Sequence, residues 1–135
     1  MAGWLLKTEP SEYSFADLVQ EARTVWDGVS NSLALRHLRN MRRGDEAFVY
    51  HTGSERAITG IARVVSDPYP GGGEAGAGGT VVDLEAVAWL ARPVTLAEMK
   101  RNELFAGFDL LRLPRLSVMP VPPSIWQAIV DLAQQ

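Results

Sequence analysis

The sequence predicts an α+β domain in which a curved, barrel-like antiparallel sheet is flanked by peripheral helices. The predicted helices are scattered among the strands without the strict alternation of a doubly wound parallel sheet, and a short hairpin turn joins two of the strands. The chain has 135 residues and is 47% apolar, which is one domain's length with enough apolar surface for a core. We therefore expect residues 1–135 to form a single domain.

The first elements follow from alternation and from a helix-capping pattern. Residues 4–8 alternate between two kinds of side chain before a proline, which predicts a strand. Ser14 and Asp17 have the spacing of a capping box, so a helix is expected to begin there and to end near Arg23. Trp26 follows in a short extended segment.

A second helix is predicted from Ser32, closed by Gly44 and Asp45. Its apolar positions share one face and its arginines share another. The apolar positions are Leu35, Leu38 and Met41, and the basic ones are Arg36, Arg39 and Arg43. This helix carries the one basic patch that the sequence indicates.

Two strands, over 47–51 and 57–65, are expected to pair antiparallel through a turn at 52–55. The stretch 68–80 contains six glycines and two prolines, which predicts a mobile loop without a regular element. Alternation then predicts a strand over 82–90 with one buried face.

The C-terminal third begins with a second capping box. Thr95 and Glu98 predict a short helix that ends before Gly107. An extended segment over 116–121 leads to the two prolines at 122–123, which are tolerated in the first turn of a final helix.

Composition excludes several classes of protein. The chain has no cysteine, so disulfides, thiolate ligands and a cysteine nucleophile are absent, which suits a reducing, cytoplasmic compartment. Lys7 and Glu9 interrupt the apolar start too early for a secretory signal, and no apolar run is long enough to span a membrane. The formal net charge of −3 argues against nonspecific coating of a phosphate backbone. We expect a soluble, cytoplasmic protein with no membrane partner and only local contacts to any nucleic acid.

The patterns of common catalytic and metal sites are not found. His37 and His51 lack the spacing of zinc ligands, and Ser54 lacks the Gly-x-Ser-x-Gly frame of a nucleophile elbow. The glycines within 71–79 have no following lysine, unlike a phosphate-binding loop. The sequence therefore predicts no metal, no cofactor and no catalytic residue.

Two segments, 3–10 and 25–31, place aromatic rings beside polar groups, a pattern typical of a pocket for a planar ring. Trp26 is the best candidate for a wall, because its polar, turn-prone setting makes full burial less expected than for Trp126 on its helical stripe. Asn31 has two open roles, as a helix cap or as a partner for a base edge. His51 is open between contact with a base or phosphate and burial with a backbone bond.

Arginines supply the candidate phosphate contacts. These are Arg36, Arg39, Arg112 and Arg115. Arginine runs also occur as solvated helix faces, so both roles stay open.

A string of ordered motifs along nearly the whole chain closely resembles the EVE domain family. The motifs are Trp4-Leu5-Leu6-Lys7-Thr8-Glu9-Pro10-Ser11-Glu12-Tyr13-Ser14, Trp26-Asp27-Gly28-Val29 with Asn31, Tyr50-His51, Gly60-Ile61-Ala62 and Arg115-Leu116-Ser117-Val118. The resemblance implies a PUA-like fold, a β-barrel with surrounding helices, and a relation to YTH domains, which bind methylated adenine in an aromatic cage. It also implies a pocket for a modified base in DNA or RNA. The implied ligand-binding residues are Trp26, Asp27, Asn31, Tyr50, His51 and Thr52, and Lys7 is assigned to the same pocket.

The chain departs from the family pattern at three places. The tryptophan usual before the strand that starts near 80–84 is missing, and Tyr69 or Trp89 is a candidate substitute. Ser30 stands where the family commonly has arginine, and residues 32–33 replace its usual Tyr-Gln.

The leading functional hypothesis is a non-catalytic reader of a modified base in DNA or RNA, with Trp26 stacking on the base. The alternative is an enzyme or binder that acts on a free modified nucleoside, with Asp27, Lys7, Glu9 or His51 as acid or base. A third hypothesis is a protein-interaction module that uses the loop 68–80. The sequence does not predict the oligomeric state.

Overall fold

The computed structural model describes residues 2–71 and 79–135. The strands are β1 (Gly3–Thr8), β2 (Arg23–Trp26), β3 (Glu46–His51), β4 (Ala57–Val64), β5 (Tyr69–Pro70), β6 (Thr80–Thr95) and β7 (Val118–Val121). The helices are α1 (Phe15–Glu21), α2 (Ser32–Arg39), α3 (Leu96–Lys100), α4 (Asp109–Arg112) and α5 (Pro123–Ala133), with a 3-10 turn at Glu103–Phe105. The predicted α+β class is confirmed.

The sheet is mixed and open in the part of the chain that is described. Its strands lie in the order β2-β6-β4-β3-β1-β7, and no pairing among the described residues joins the outer strands β2 and β7. The neighbours β1 and β3 are parallel, whereas the other pairs are antiparallel. The predicted antiparallel arrangement is therefore wrong for the β1–β3 pair, and the predicted barrel is not confirmed. The chain runs through α1, β2 and α2 between β1 and β3, and this long crossover lets the two strands run in the same direction.

Both predicted capping boxes are confirmed. Ser14 Oγ accepts from the Asp17 N–H at 3.1 Å, and the Asp17 carboxylate accepts from the Ser14 N–H at 2.9 Å. The same reciprocal pair joins Thr95 and Glu98 at the start of α3. The helix that Ser14 begins is shorter than predicted, because Ala22 leaves helical geometry at φ 68° and β2 starts at once.

Helix α2 ends at Arg39, five residues before the predicted stop at Gly44. The carboxylate of Asp45 explains the early end. Its Oδ2 accepts from the Arg42 N–H at 2.9 Å, so this N–H is bonded to a side chain and not to a helix carbonyl. The same buried carboxylate accepts from the Trp4 indole Nε1 at 2.9 Å and from the Ala2 N–H at 3.1 Å. Asp45 thus connects β1 with the segment that follows α2.

The glycine-rich stretch contains a regular element that the sequence did not predict. Tyr69 and Pro70 of β5 pair antiparallel with Val81 and Thr80 of β6. Residues 72–78, the middle of the mobile loop predicted over 68–80, lie outside the described residues.

Close packing holds α1 against the middle of the sheet. Gly60 of β4 lies opposite Trp89 of β6, and a Cβ on Gly60 would stand 2.3 Å from the Phe15 ring. The Phe15 ring also meets Trp89 edge to face, with centroids 4.8 Å apart. A side chain at position 60 would displace α1, so the glycine is required by the packing.

The short helix α4 was not predicted, because four residues are too few to show helical periodicity in the sequence.

None of the helices in the described part of the chain combines the length and apolar content needed to cross a bilayer.

Candidate functional site

The candidate site is a cavity of about 640 Å³, which we call the site cavity. It is lined by the end of β1 and the turn after it, by β2 and the loop that leads into α2, and by two residues before β7. These stretches are residues 7–9, 12–13, 24–31, 115 and 117. The volume is that of a small-molecule or nucleotide pocket.

Local folding brings these stretches together. Strand β2 is held at the sheet's edge by β6, with Trp26 opposite Val82. The chain then turns at Gly28, whose φ of 77° favours glycine. On the other side, the Lys7 N–H donates to the Ser117 carbonyl at 3.0 Å and fixes the segment before β7 to β1.

Trp26 lines the site cavity and also belongs to the hydrophobic core. It is only 8% exposed, whereas Trp126 is partly exposed and stacks on Phe48 with centroids 3.8 Å apart. The predicted order of burial of the two tryptophans is therefore reversed. The polar residues after Trp26 suggested exposure, but its indole packs with the hydrophobic core and meets the Tyr13 ring edge to face.

Tyr13 is a second aromatic residue of the site cavity that the site prediction missed. Its ring meets Trp26 edge to face, with centroids 6.1 Å apart and planes at 79°. The hydroxyl donates to Glu21 Oε1 at 2.6 Å, and burial together with this bond raises the pKa of Tyr13 to about 12. Its position just before a capping-box serine was the one available sequence signal.

Asn31 lies where the site cavity meets the first turn of α2. Its side-chain oxygen accepts from the Ala34 N–H at 3.0 Å, so it is the helix cap. The side chain is exposed and lines the site cavity. Because the oxygen is used by the cap, the amide N–H groups are the donors that Asn31 offers to a ligand.

The site cavity is lined by charged side chains of both signs, with more carboxylates than cations. Glu9, Glu12 and Asp27 contribute carboxylates, and Lys7 and Arg115 contribute cations. Hydrogen bonds from Ser11 and Thr52 lower the pKa of Glu9, so its carboxylate stays ionised.

The Lys7 ammonium is partly committed to the protein. It donates to the Pro114 carbonyl at 2.8 Å and lies 5.8 Å from the centroid of the Tyr50 ring. Partial burial lowers the pKa of Lys7. Lys7 therefore holds the segment that carries Arg115 while it lines the cavity.

The remaining predicted ligand residues lie outside the lining of the site cavity. Tyr50 is buried, and the Thr52 hydroxyl donates to Glu9 at 3.1 Å. His51 is 5% exposed, with Nε2 accepting from the Phe15 N–H at 3.0 Å and Nδ1 lying 2.9 Å from Glu55. His51 is thus a buried histidine with a backbone bond, and its contact with a base or phosphate stays a prediction.

The predicted phosphate-binding arginines are dispersed. Arg115 lines the site cavity, and Arg112, ion-paired with Asp109 at 2.7 Å, lines a neighbouring one. Arg36 is exposed on α2, outside the lining of the site cavity. Arg39 donates to the Thr80 hydroxyl at 3.2 Å and lines a separate cavity of about 620 Å³ beside β5, which we call the second cavity.

Neither candidate for the missing family tryptophan lies in the site cavity. Tyr69 lines the second cavity and donates to the Asp83 carboxylate at 2.5 Å. Trp89 is exposed beside Phe15. The replacement of the family tryptophan by Tyr69 or Trp89 stays a prediction, and Tyr13 is the second aromatic residue that lines the site cavity. Within residues 2–71 and 79–135, no three acidic, histidine or cysteine side chains are grouped to hold a metal ion.

The model of the EVE domain family matches residues 2–132 of this chain. The chain belongs to the EVE domain family. Human thymocyte nuclear protein 1 is 32% identical, in an alignment that covers 98% of this EVE domain and 74% of the human protein. The family predicted from the motif string is confirmed.

Solved structures share the fold over the full length of this EVE domain. Rpa0253 from Rhodopseudomonas palustris has a TM-score of 0.93 at 37% identity, covering 99% of this chain and 94% of that one. Human THYN1 protein, solved in complex with DNA containing 5-methylcytosine, has a TM-score of 0.91 at 27% identity, covering 100% and 99%.

Proposed function

We propose that this EVE domain is a non-catalytic reader that binds DNA at a modified base and holds that base in the site cavity. The observation that carries the proposal is the site cavity itself, where the Trp26 ring, the Asn31 amide and a group of carboxylates surround about 640 Å³. The human THYN1 complex with DNA containing 5-methylcytosine supports modified DNA as the ligand class.

The lining fits a flat ring with hydrogen-bond donors along one edge. Trp26 provides a face for stacking, and Tyr13 closes one side of the resulting aromatic cage. Asp27 and Glu12 offer acceptors, which suit the exocyclic amino group of cytosine or adenine. The Asn31 N–H groups suit a base carbonyl or ring nitrogen.

Charge limits how the DNA backbone meets this surface. The three carboxylates repel phosphate from most of the site cavity, and Arg115 is the cation at its rim that suits a phosphate contact. With so few cations and a formal net charge of −3, we expect weak, salt-sensitive binding that depends on the base.

The enzyme alternative is not favoured. A histidine is the side chain most often used as an acid or base, yet His51 lies outside the lining of the site cavity with both ring nitrogens engaged. Glu9 is held by three hydrogen bonds, and the Lys7 ammonium by the Pro114 carbonyl.

RNA as an additional ligand and a cytoplasmic location remain predictions.

Asn31→Ser tests the proposal with little disturbance of the fold. Serine is a good helix cap, so the thermal midpoint should change by less than about 2 °C, whereas Asn31→Ala removes the cap and costs about 1 kcal/mol. Serine lacks the amide donors, so we expect at least tenfold weaker binding of a fluorescent single strand with one 5-methylcytosine, measured by anisotropy.

The controls are the unmethylated strand, the same sequence as methylated duplex, and the methylated strand as RNA. The proposal requires the wild type to prefer a methylated strand over its unmethylated counterpart. Equal binding of methylated and unmethylated strands, or full affinity in Asn31→Ser, would contradict the assignment of the base to this cavity.

A further inference from the structure

A smaller cavity of about 340 Å³, which we call the adjoining cavity, lies next to the site cavity. The two share Asn31 and Arg115 in their linings. The adjoining cavity is otherwise lined by Leu33 in the first turn of α2 and by residues 112–114 and 116. Asn31 and Arg115 therefore lie where the two cavities adjoin.

The adjoining cavity has a different character from the site cavity. Its charged lining, among the described residues, consists of Arg112 and Arg115, whereas the site cavity holds three carboxylates. Leu33 is an exposed leucine, with 36% of its surface accessible, and Pro114 is a second apolar residue of this lining. An apolar surface beside cations suits the face of a base and the phosphate attached to it.

We propose, resting on the proposed function, that the adjoining cavity holds the nucleotide next to the modified base, with the linking phosphate at Arg115. Consecutive nucleotides are joined by one phosphodiester, so two subsites for them must adjoin, and a cation where they meet suits the charge of the phosphate. Arg115 occupies that border position. Arg112 is ion-paired with Asp109, which leaves Arg115 the better suited of the two to the phosphate.

The apolar wall predicts how the neighbouring base is recognised. Leu33 and Pro114 have no side-chain hydrogen-bonding groups, so contact is made with the face of the base and not with its edge. The second nucleotide should therefore increase affinity for any base, more for large purines than for pyrimidines. The modified base alone would carry the chemical specificity.

The experiment compares 5-methyl-2′-deoxycytidine with two dinucleotides that carry the same base at the 5′ or the 3′ position. Affinities are measured by NMR titration, which detects millimolar binding. We expect one of the two dinucleotides to bind at least tenfold more tightly than the nucleoside. Leu33→Ser should remove most of this gain and leave the nucleoside affinity unchanged.

Leu104→Ser is the matched control, because Leu104 is 66% exposed and lies outside the linings of both cavities. It should bind every ligand as the wild type does. Arg115→Gln should reduce dinucleotide affinity and flatten its dependence on salt concentration.

Two results would overturn the inference and leave the proposed function intact. One is equal affinity for the nucleoside and both dinucleotides, and the other is a full dinucleotide gain in Leu33→Ser. If neither the nucleoside nor any methylated oligonucleotide binds, the proposed function fails and the adjoining subsite fails with it.

Discussion

Asp45→Ala should lower the free energy of unfolding by roughly 3 kcal/mol, because it removes one buried carboxylate that three donors share. The donors are the Trp4 indole at 2.9 Å, the Arg42 N–H at 2.9 Å and the Ala2 N–H at 3.1 Å. Trp4 is buried as well, so its indole cannot recover the lost bond from water without a rearrangement. For a domain of this size the thermal midpoint should fall by about 10 °C or more.

Asp67→Ala is the matched control for Asp45. Its carboxylate accepts from the neighbouring Arg43 N–H at 3.1 Å, but the residue is exposed, so water replaces the bond. We expect its loss of stability to stay below about 1 kcal/mol. Urea unfolding of both variants measures the two losses in the free energy of unfolding. Equal losses would show that the buried carboxylate does not stabilise the contact between β1 and the segment after α2.

The second large effect is expected at Trp26, which serves both the core and the site cavity. Trp26→Ala should cost about 3–5 kcal/mol of stability, because the indole is almost fully buried. It should also weaken binding of a methylated strand at least tenfold, since a stacked base contributes about 1–3 kcal/mol. Binding must be measured where circular dichroism shows the variant to be folded.

Trp26→Phe separates the two roles of this residue. The phenyl ring keeps an aromatic face and most of the apolar contact, so the variant should fold and bind with intermediate affinity. Trp126→Phe makes the same change outside the site cavity and should leave affinity unchanged. Wild-type affinity in folded Trp26→Ala would show that the base does not stack on this ring.

Local signals explain the parts of the fold that the sequence predicted well. The capping boxes at Ser14 and Thr95 need only residues within one helical turn, and both formed as expected. The parallel pairing of β1 with β3 depends on a crossover of nearly forty residues and leaves no local pattern. The element order predicted a barrel-like sheet and the resemblance implied a β-barrel, and the described strands do not confirm the barrel.

The candidate site was predicted in part for the same reason. Trp26, Asp27 and Asn31 are close in sequence and line one cavity, whereas Lys7 and Arg115 reach it only through the pairing of β1 with the segment before β7. Five of the six residues of β3 are buried, so both faces of this strand are covered. Such a strand shows no alternation of apolar and polar residues, and the sequence therefore did not show that Tyr50 is buried. His51 was therefore indistinguishable from a pocket residue by pattern.

The location of the ligand can be measured directly through the four tryptophans, whose indole N–H signals are separate reporters in ¹H–¹⁵N NMR spectra. On titration with a single strand that carries one 5-methylcytosine, the indole of Trp26 and the amides of residues 27–31 should shift. The indoles of Trp89 and Trp126 should change little. Shifts at Tyr69 and the second cavity or around Trp126, with the Trp26 signal unmoved, would contradict the site cavity as the place where the base binds.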